Sequence, residues 1–228
     1  MPVPTTEVSG AGSLGWLLAV AVASFLVSWL LTERVRLGHT AYVAALAGVS
    51  AALTGGYLAW SGISLADLLT DAWGWALLAG VLSGALTGFG ITRLAPSLPG
   101  EHGTRLAGTL AWQGVLYGVS EGTLLSMLPA LVVWEWVNAA GWSGTWGAVG
   151  RFVLPLLASV AVIVVHHLGY AEFRNPRMVL PVIGCGVLTV AFLATGNAIA
   201  PALGHVLMHT AAVLHRTELP PQRHPVAV

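Results

Sequence analysis

The chain contains no lysine among its 228 residues, only one cysteine, and charged side chains at 8% of positions. Each shortage excludes something. Without lysine no retinal Schiff base can form, so a seven-helix retinal protein is ruled out. The lone Cys185 offers no disulfide framework, no CxxCH haem attachment and no thiolate zinc cluster. Nine basic residues balance nine acidic ones, and no basic run suggests nucleic acid as a partner. Soluble domains carry roughly 25% charged residues, so a chain this poor in charge cannot clothe a soluble surface. What fills the place is apolar: 56% of the residues are hydrophobic.

Those residues fall into runs near the ~20 positions that a membrane-crossing helix requires. Spans are predicted near 13–32, 40–60, 72–92, 106–130, 151–169, 178–195 and 198–214. The first is not an ordinary signal peptide, since MPVPTTEVSGAG lacks a basic leader and the apolar run is long. Between 127 and 150, Pro129, Glu135 and several glycines predict a broken or re-entrant helix, leaving six to eight spans open. The expected fold is an all-α, polytopic integral membrane helix bundle of about seven helices. A single domain, 13–216, is flanked by tails at 1–12 and 217–228, with membrane lipid as its surroundings.

With alternating spans, eight of the nine arginines fall on one side; only Arg151 falls on the other. The positive-inside rule makes the arginine-rich side cytoplasmic, which places the N-terminus outside and the C-terminus inside. Eight of the ten tryptophans, among them Trp60, Trp73, Trp136 and Trp146, then sit near the outer interface as an aromatic belt. Small residues recur at four-residue spacing in two spans: Gly80, Gly84 and Gly88, and Gly48, Ala52 and Gly56. Such faces let helix backbones approach closely in lipid, and packing within one bundle is the expected use of both.

Polar residues are better guides to function, because ionisable groups within a membrane face the protein interior or a wet cavity. Gln113, Tyr117 and Glu121 recur every four residues on the fourth helix and form one polar stripe. An unpaired carboxylate at mid-span costs about 2.5–3.5 kcal/mol on insertion scales, so Glu121 needs a partner or a proton. His166 and His167 end the fifth span; adjacent helical residues point about 100° apart, so at most one can share a cavity with Glu121. The other, like Tyr170, is placed at the inner interface. On the last helix His205 and His209 share a face, and Asn197 is placed to cap its start.

A glutamate on one helix, a histidine on the next, then Gly196-Asn197 with Pro201, His205 and His209 on a late helix: this order resembles the CPBP family of intramembrane proteases. That family includes the CAAX prenyl endopeptidases and bacteriocin-processing or immunity proteins, and its motifs are EExxxR, FxxxH and HxxxN or HxxxD. The resemblance covers residues 106–215. In one register Glu121 stands at the first acid of the first motif, with Gly122 and Ser126 in place of the second acid and the arginine, a joint loss that keeps the buried charge balanced. In the other, Ser120 stands at the first acid and the presumed catalytic acid is lost. Ile163 stands where a phenylalanine precedes His167, and His209 where Asn or Asp is usual.

The resemblance implies an endopeptidase that cleaves hydrophobic or lipidated peptides at or within the membrane, of the kind found in a bacterial inner membrane. It assigns Glu121 and His167 to activating a water and His205 and His209 to holding the oxyanion. Gln113, Tyr117, His166 and Asn197 support them, and no metal or cofactor is required. Two other expectations follow from the same residues. The lost acid and arginine suit a catalytically silent relative that binds or assembles with a partner membrane protein. The three imidazoles of His167, His205 and His209 with the Glu121 carboxylate also suit zinc or iron, and paired histidines on different helices suit a haem.

Overall fold

Helix α1 (Gly10–Arg34) wears its large side chains on the outside. Leu14, Leu18, Val22 and Leu26, four residues apart, are exposed, while Ser13, Ser24 and Ser28 are buried. Lipid is as apolar as leucine, so the outward face gains nothing by turning in. The inward face instead combines Val20 and Val27 with three serines, small residues of the kind that permit close packing.

The computed structural model of the chain describes residues 9–94 and 103–215. The C-terminal tail, Arg216, Arg223 and most of the N-terminal tail lie outside the described residues. Every regular element among those described is helical. After α1 come α2 (His39–Ser61), a short α3 (Leu65–Thr70), α4 (Trp73–Leu94), α5 (Thr104–Ala139), α6 (Gly144–Leu168), α7 (Pro176–Thr195) and α8 (Ile199–His215). Six of these are long and apolar enough to cross a membrane, and α8 is a shorter apolar helix. The seven expected spans are therefore all helices, in an integral membrane bundle. Trp73, Trp75 and Trp146 are strongly exposed at helix ends.

The break expected within 127–150 is present but lies later than Pro129: α5 runs 36 residues from Thr104 to Ala139, and helix is interrupted only between Ala139 and Gly144. Pro129 is tolerated because it opens the α-helical segment that follows a π-helical stretch, Gly122–Met127. At such a junction the regular backbone ladder is already shifted, so the missing N–H leaves less unsatisfied. The chain turns only afterwards, through Gly141 and Gly144, both at positive φ, where glycine has no steric penalty.

Helix α5 is the axis of the bundle: 78% of its apolar stretch is buried, against 22–33% for the other five long helices. Helix α8 lies between α5 and α4, and glycines bring it close to both. Running parallel to it, α4 sets Gly80 against Ala200 and Leu203, Gly84 against Gly204 and Leu207, and Gly88 against Ala211. Running antiparallel, α5 sets Gly114, Gly118 and Gly122 against Thr210, Val206 and Ala202. The stripe on α4 thus packs within the bundle as expected. The other stripe does not, since Gly48 and Ala52 are exposed and only Gly56 meets a neighbour, Trp16.

Replacing Gly84 by leucine tests this packing. A Cβ there would stand 2.8 Å from the Leu207 Cβ and 2.9 Å from the Gly204 carbonyl oxygen. Overpacking typically costs about 1–3 kcal/mol, and a whole isobutyl group placed against backbone belongs at or above the top of that range. Gly84→Leu is expected to lower the unfolding temperature in detergent markedly; an unchanged midpoint would place this face against lipid.

Candidate functional site

The entry to α8 is held from outside the helix. Gly196 ends α7 in the left-handed conformation, and Asn197 Oδ1 accepts the Ile199 N–H at 2.8 Å. The Asn197 amide donates to the Asp71 carbonyl at 2.6 Å, while the Ala198 N–H donates to Leu68 at 2.9 Å. Asn197 is therefore a cap, as read from the sequence, and its second hydrogen bond joins α8 to the turn after α3. Its place is at the helix start and not among the ionisable groups.

Two turns further on, His205 and His209 face α5. The His209 Nε2 lies 2.8 Å from Glu121 Oε2, a full hydrogen bond, and the His205 Nδ1 lies 3.8 Å from the same oxygen. From α6, His166 Nε2 stands 3.7 Å from Glu121 Oε1. All four side chains are buried, with exposures from 0% to 4%. Three helices thus bring one carboxylate and three imidazoles together inside the bundle. Glu121 sits at the middle of α5 between two π-helical stretches, Leu110–Leu116 and Gly122–Met127. Local π geometry of this kind often marks functional positions.

Sequence reasoning preferred His167, but the structure sets His166 against Glu121. The His166 Nδ1–H donates to the Ser24 carbonyl at 3.1 Å, since a carbonyl can only accept, and the Ser28 hydroxyl donates to the His166 carbonyl at 2.6 Å. Both anchors come from α1, a helix without any motif. His167 points elsewhere: its Nδ1–H donates to Ile163 of its own helix at 2.8 Å, and its ring packs edge-on against Phe173.

The two groups come level because α5 is long. At about 1.5 Å per residue its 36 residues extend roughly 54 Å, against roughly 30 Å of hydrocarbon. Helix α6 therefore ends beside the middle of α5. After that end Tyr170 folds back into the protein with only 3% exposure, instead of lying at the interface as expected. Arg174, Asn175, Pro176 and Arg177 stay exposed.

Tyr170 belongs to the site, although its position after the fifth span marks it only as an interface residue. Its hydroxyl lies 3.2 Å from His166 Nε2 and is also hydrogen-bonded to the Tyr42 hydroxyl. Burial pushes the Tyr170 phenol well above its ordinary value, so it keeps its proton and can donate to His166. Ser126 is the other addition: its Oγ lies 3.1 Å from His205 Nε2. Sequence reading assigned Ser126 no role at the site. Tyr117 packs against the His209 ring in a tilted arrangement with centroids 4.6 Å apart, whereas Gln113 is only half-buried.

Several polar atoms lack a protein partner. His205 Nδ1 and His209 Nδ1 are buried without a hydrogen bond. Glu121, His205 and His209 each offer a ligand atom such that all three atoms lie within 4.8 Å of one another. Towards the other end of α5, Glu135 is also buried with an unpartnered Oε1, and the Tyr57 hydroxyl of α2 is likewise buried without a partner. No family model, curated protein or solved structure matches this chain.

Proposed function

We propose that the chain is an intramembrane endopeptidase that hydrolyses peptide bonds of hydrophobic or lipidated substrates, with Glu121 as the base. The observation that supports this most is Glu121 flanked by His166 and by the His205–His209 pair in one buried cluster. A water attacking a carbonyl needs a group to take its proton and donors to receive the oxyanion. The 3.7 Å between Glu121 Oε1 and His166 Nε2 is too long for a direct hydrogen bond; with the Tyr170 hydroxyl turned to donate to Tyr42, Nε2 is left to share a water with the carboxylate. His166 takes the part first expected of His167.

The oxyanion is assigned to His205. If the Ser126 hydroxyl donates to His205 Nε2, the proton of the neutral ring sits on Nδ1, the atom that has no protein partner. Removing one such donor costs about 10²–10³-fold in turnover in other hydrolases. His205→Ala is expected to show that loss with the fold retained; undiminished cleavage would remove His205 from the mechanism.

The proposal includes an orientation, with the C-terminus and the connection between Arg93 and Arg105 in the cytoplasm, because eight of nine arginines collect there. Reporters fused to the C-terminus should be active only if they function in the cytoplasm. Activity of an exported reporter at that position would reverse the assignment.

A further inference from the structure

The cluster around Glu121 holds more lone pairs than protons to satisfy them. We infer that Glu121, His205 and His209 form a binding site for a first-row divalent metal ion such as Zn²⁺. This goes beyond the hydrolytic proposal, which needs no metal, and stands or falls separately from it. The donor set is one carboxylate and two imidazoles, a combination that suits zinc. It is chain-specific, because His209 supplies an imidazole where the resembling motif has an amide or a carboxylate.

Distances fit the ion. Tetrahedral zinc with ligands at ~2.0–2.1 Å holds its donor atoms about 3.4 Å apart. The His209 Nε2–Glu121 Oε2 and His205 Nδ1–Glu121 Oε2 separations, 2.8 and 3.8 Å, lie on either side of that value. The third separation is at most 4.8 Å. An ion entering the group therefore needs only small side-chain shifts. Three protein ligands leave the fourth position open, with His166 Nε2 lying on the far side of the carboxylate at 3.7 Å.

The surroundings orient the ligands as outer-shell groups do in metal sites. When His205 Nε2–H donates to Ser126, whose hydroxyl faces the Cys185 carbonyl at 3.5 Å, the lone pair of the ring falls on Nδ1. That is the buried atom left unpartnered and directed towards Glu121. A buried acceptor without a donor is costly, and a cation satisfies it as a donor would. The metal-bound state thus requires the opposite His205 tautomer from the one that stabilises an oxyanion.

Zn²⁺ titration of the chelator-treated full chain in detergent, followed calorimetrically, tests the inference. Co²⁺ gives a second readout through its visible ligand-field bands. One saturable Zn²⁺ per chain is expected, with tetrahedral-type Co²⁺ absorption. His209→Asn keeps a side chain able to donate to Glu121, so the fold is expected to survive while binding is lost. Ser126→Ala is expected to weaken binding roughly 10–100-fold, as other outer-shell changes do, and His215→Ala, on the same helix outside the site, to leave it unchanged. Absence of saturable binding by the wild-type chain, or unaltered binding by folded His209→Asn protein, would overturn the inference. Peptide cleavage by metal-free protein reports on the hydrolytic proposal alone.

Discussion

Glu121→Gln protein is expected to fold normally and to lose about 10²–10⁴-fold in cleavage rate, the usual contribution of a positioned base. The amide keeps the size of the carboxyl group, and its oxygen can still accept the His209 Nε2–H, whose bond to Glu121 is 2.8 Å long. It cannot take a proton from water. Since no substrate needs to be known beforehand, new peptide termini can be compared in membranes from cells expressing wild-type or Glu121→Gln protein. Termini that appear only with the wild type would support hydrolysis and provide substrates for single-turnover kinetics. Identical termini in both would leave the chain without a Glu121-dependent activity and favour the silent binding or assembly subunit. Size-exclusion behaviour and the unfolding midpoint of the variant establish that folding is intact.

The fold was legible because lipid imposes a simple rule on sequence: each crossing must bring about 20 apolar residues. Six of the spans obey it among the described residues, and α8 is a shorter apolar helix. What composition could not convey was the continuity of α5. Pro129 and the glycines after it are turn signals in water, but within a bundle a shifted backbone ladder absorbs the proline, and the glycines that do turn the chain lie beyond Ala139. The site was legible where its logic is local. His205 and His209 share a face because four residues make about one turn, and Asn197 caps the helix through its near neighbour Ile199. Choosing between His166 and His167 was not local. The Ser24 carbonyl and the Ser28 hydroxyl, more than 130 positions earlier, fix the residue that faces Glu121. Tyr42 and Tyr170 entered the network by the same kind of long-range contact.

A readable signal was nevertheless present and carries the second large expected effect. Gly114, Gly118 and Gly122 repeat every four residues through the segment that also bears Tyr117 and Glu121, and this glycine face is what admits α8. A Cβ on Gly118 would stand 2.7 Å from both the Val206 N and Cα atoms, and 3.0 Å from the His205 carbonyl carbon. Those are backbone atoms of a buried helix, so relief requires moving α8 itself, and with it the two histidines. A Cβ on Gly114 meets chiefly the Thr210 hydroxyl, at 2.9 Å, which a rotamer change can remove. Gly118→Ala is therefore expected to destabilise the protein by about 1–3 kcal/mol, the range for overpacked cores, and to stretch the His209–Glu121 hydrogen bond. Gly114→Ala should cost much less, although the chemical change is the same. Unfolding in detergent compares the two directly, and Zn²⁺ affinity or cleavage rate reports whether the site opens. Equal midpoints for the two variants would mean that α5 and α8 are not in backbone contact at Gly118, and the histidines would then lack the support that holds them beside Glu121.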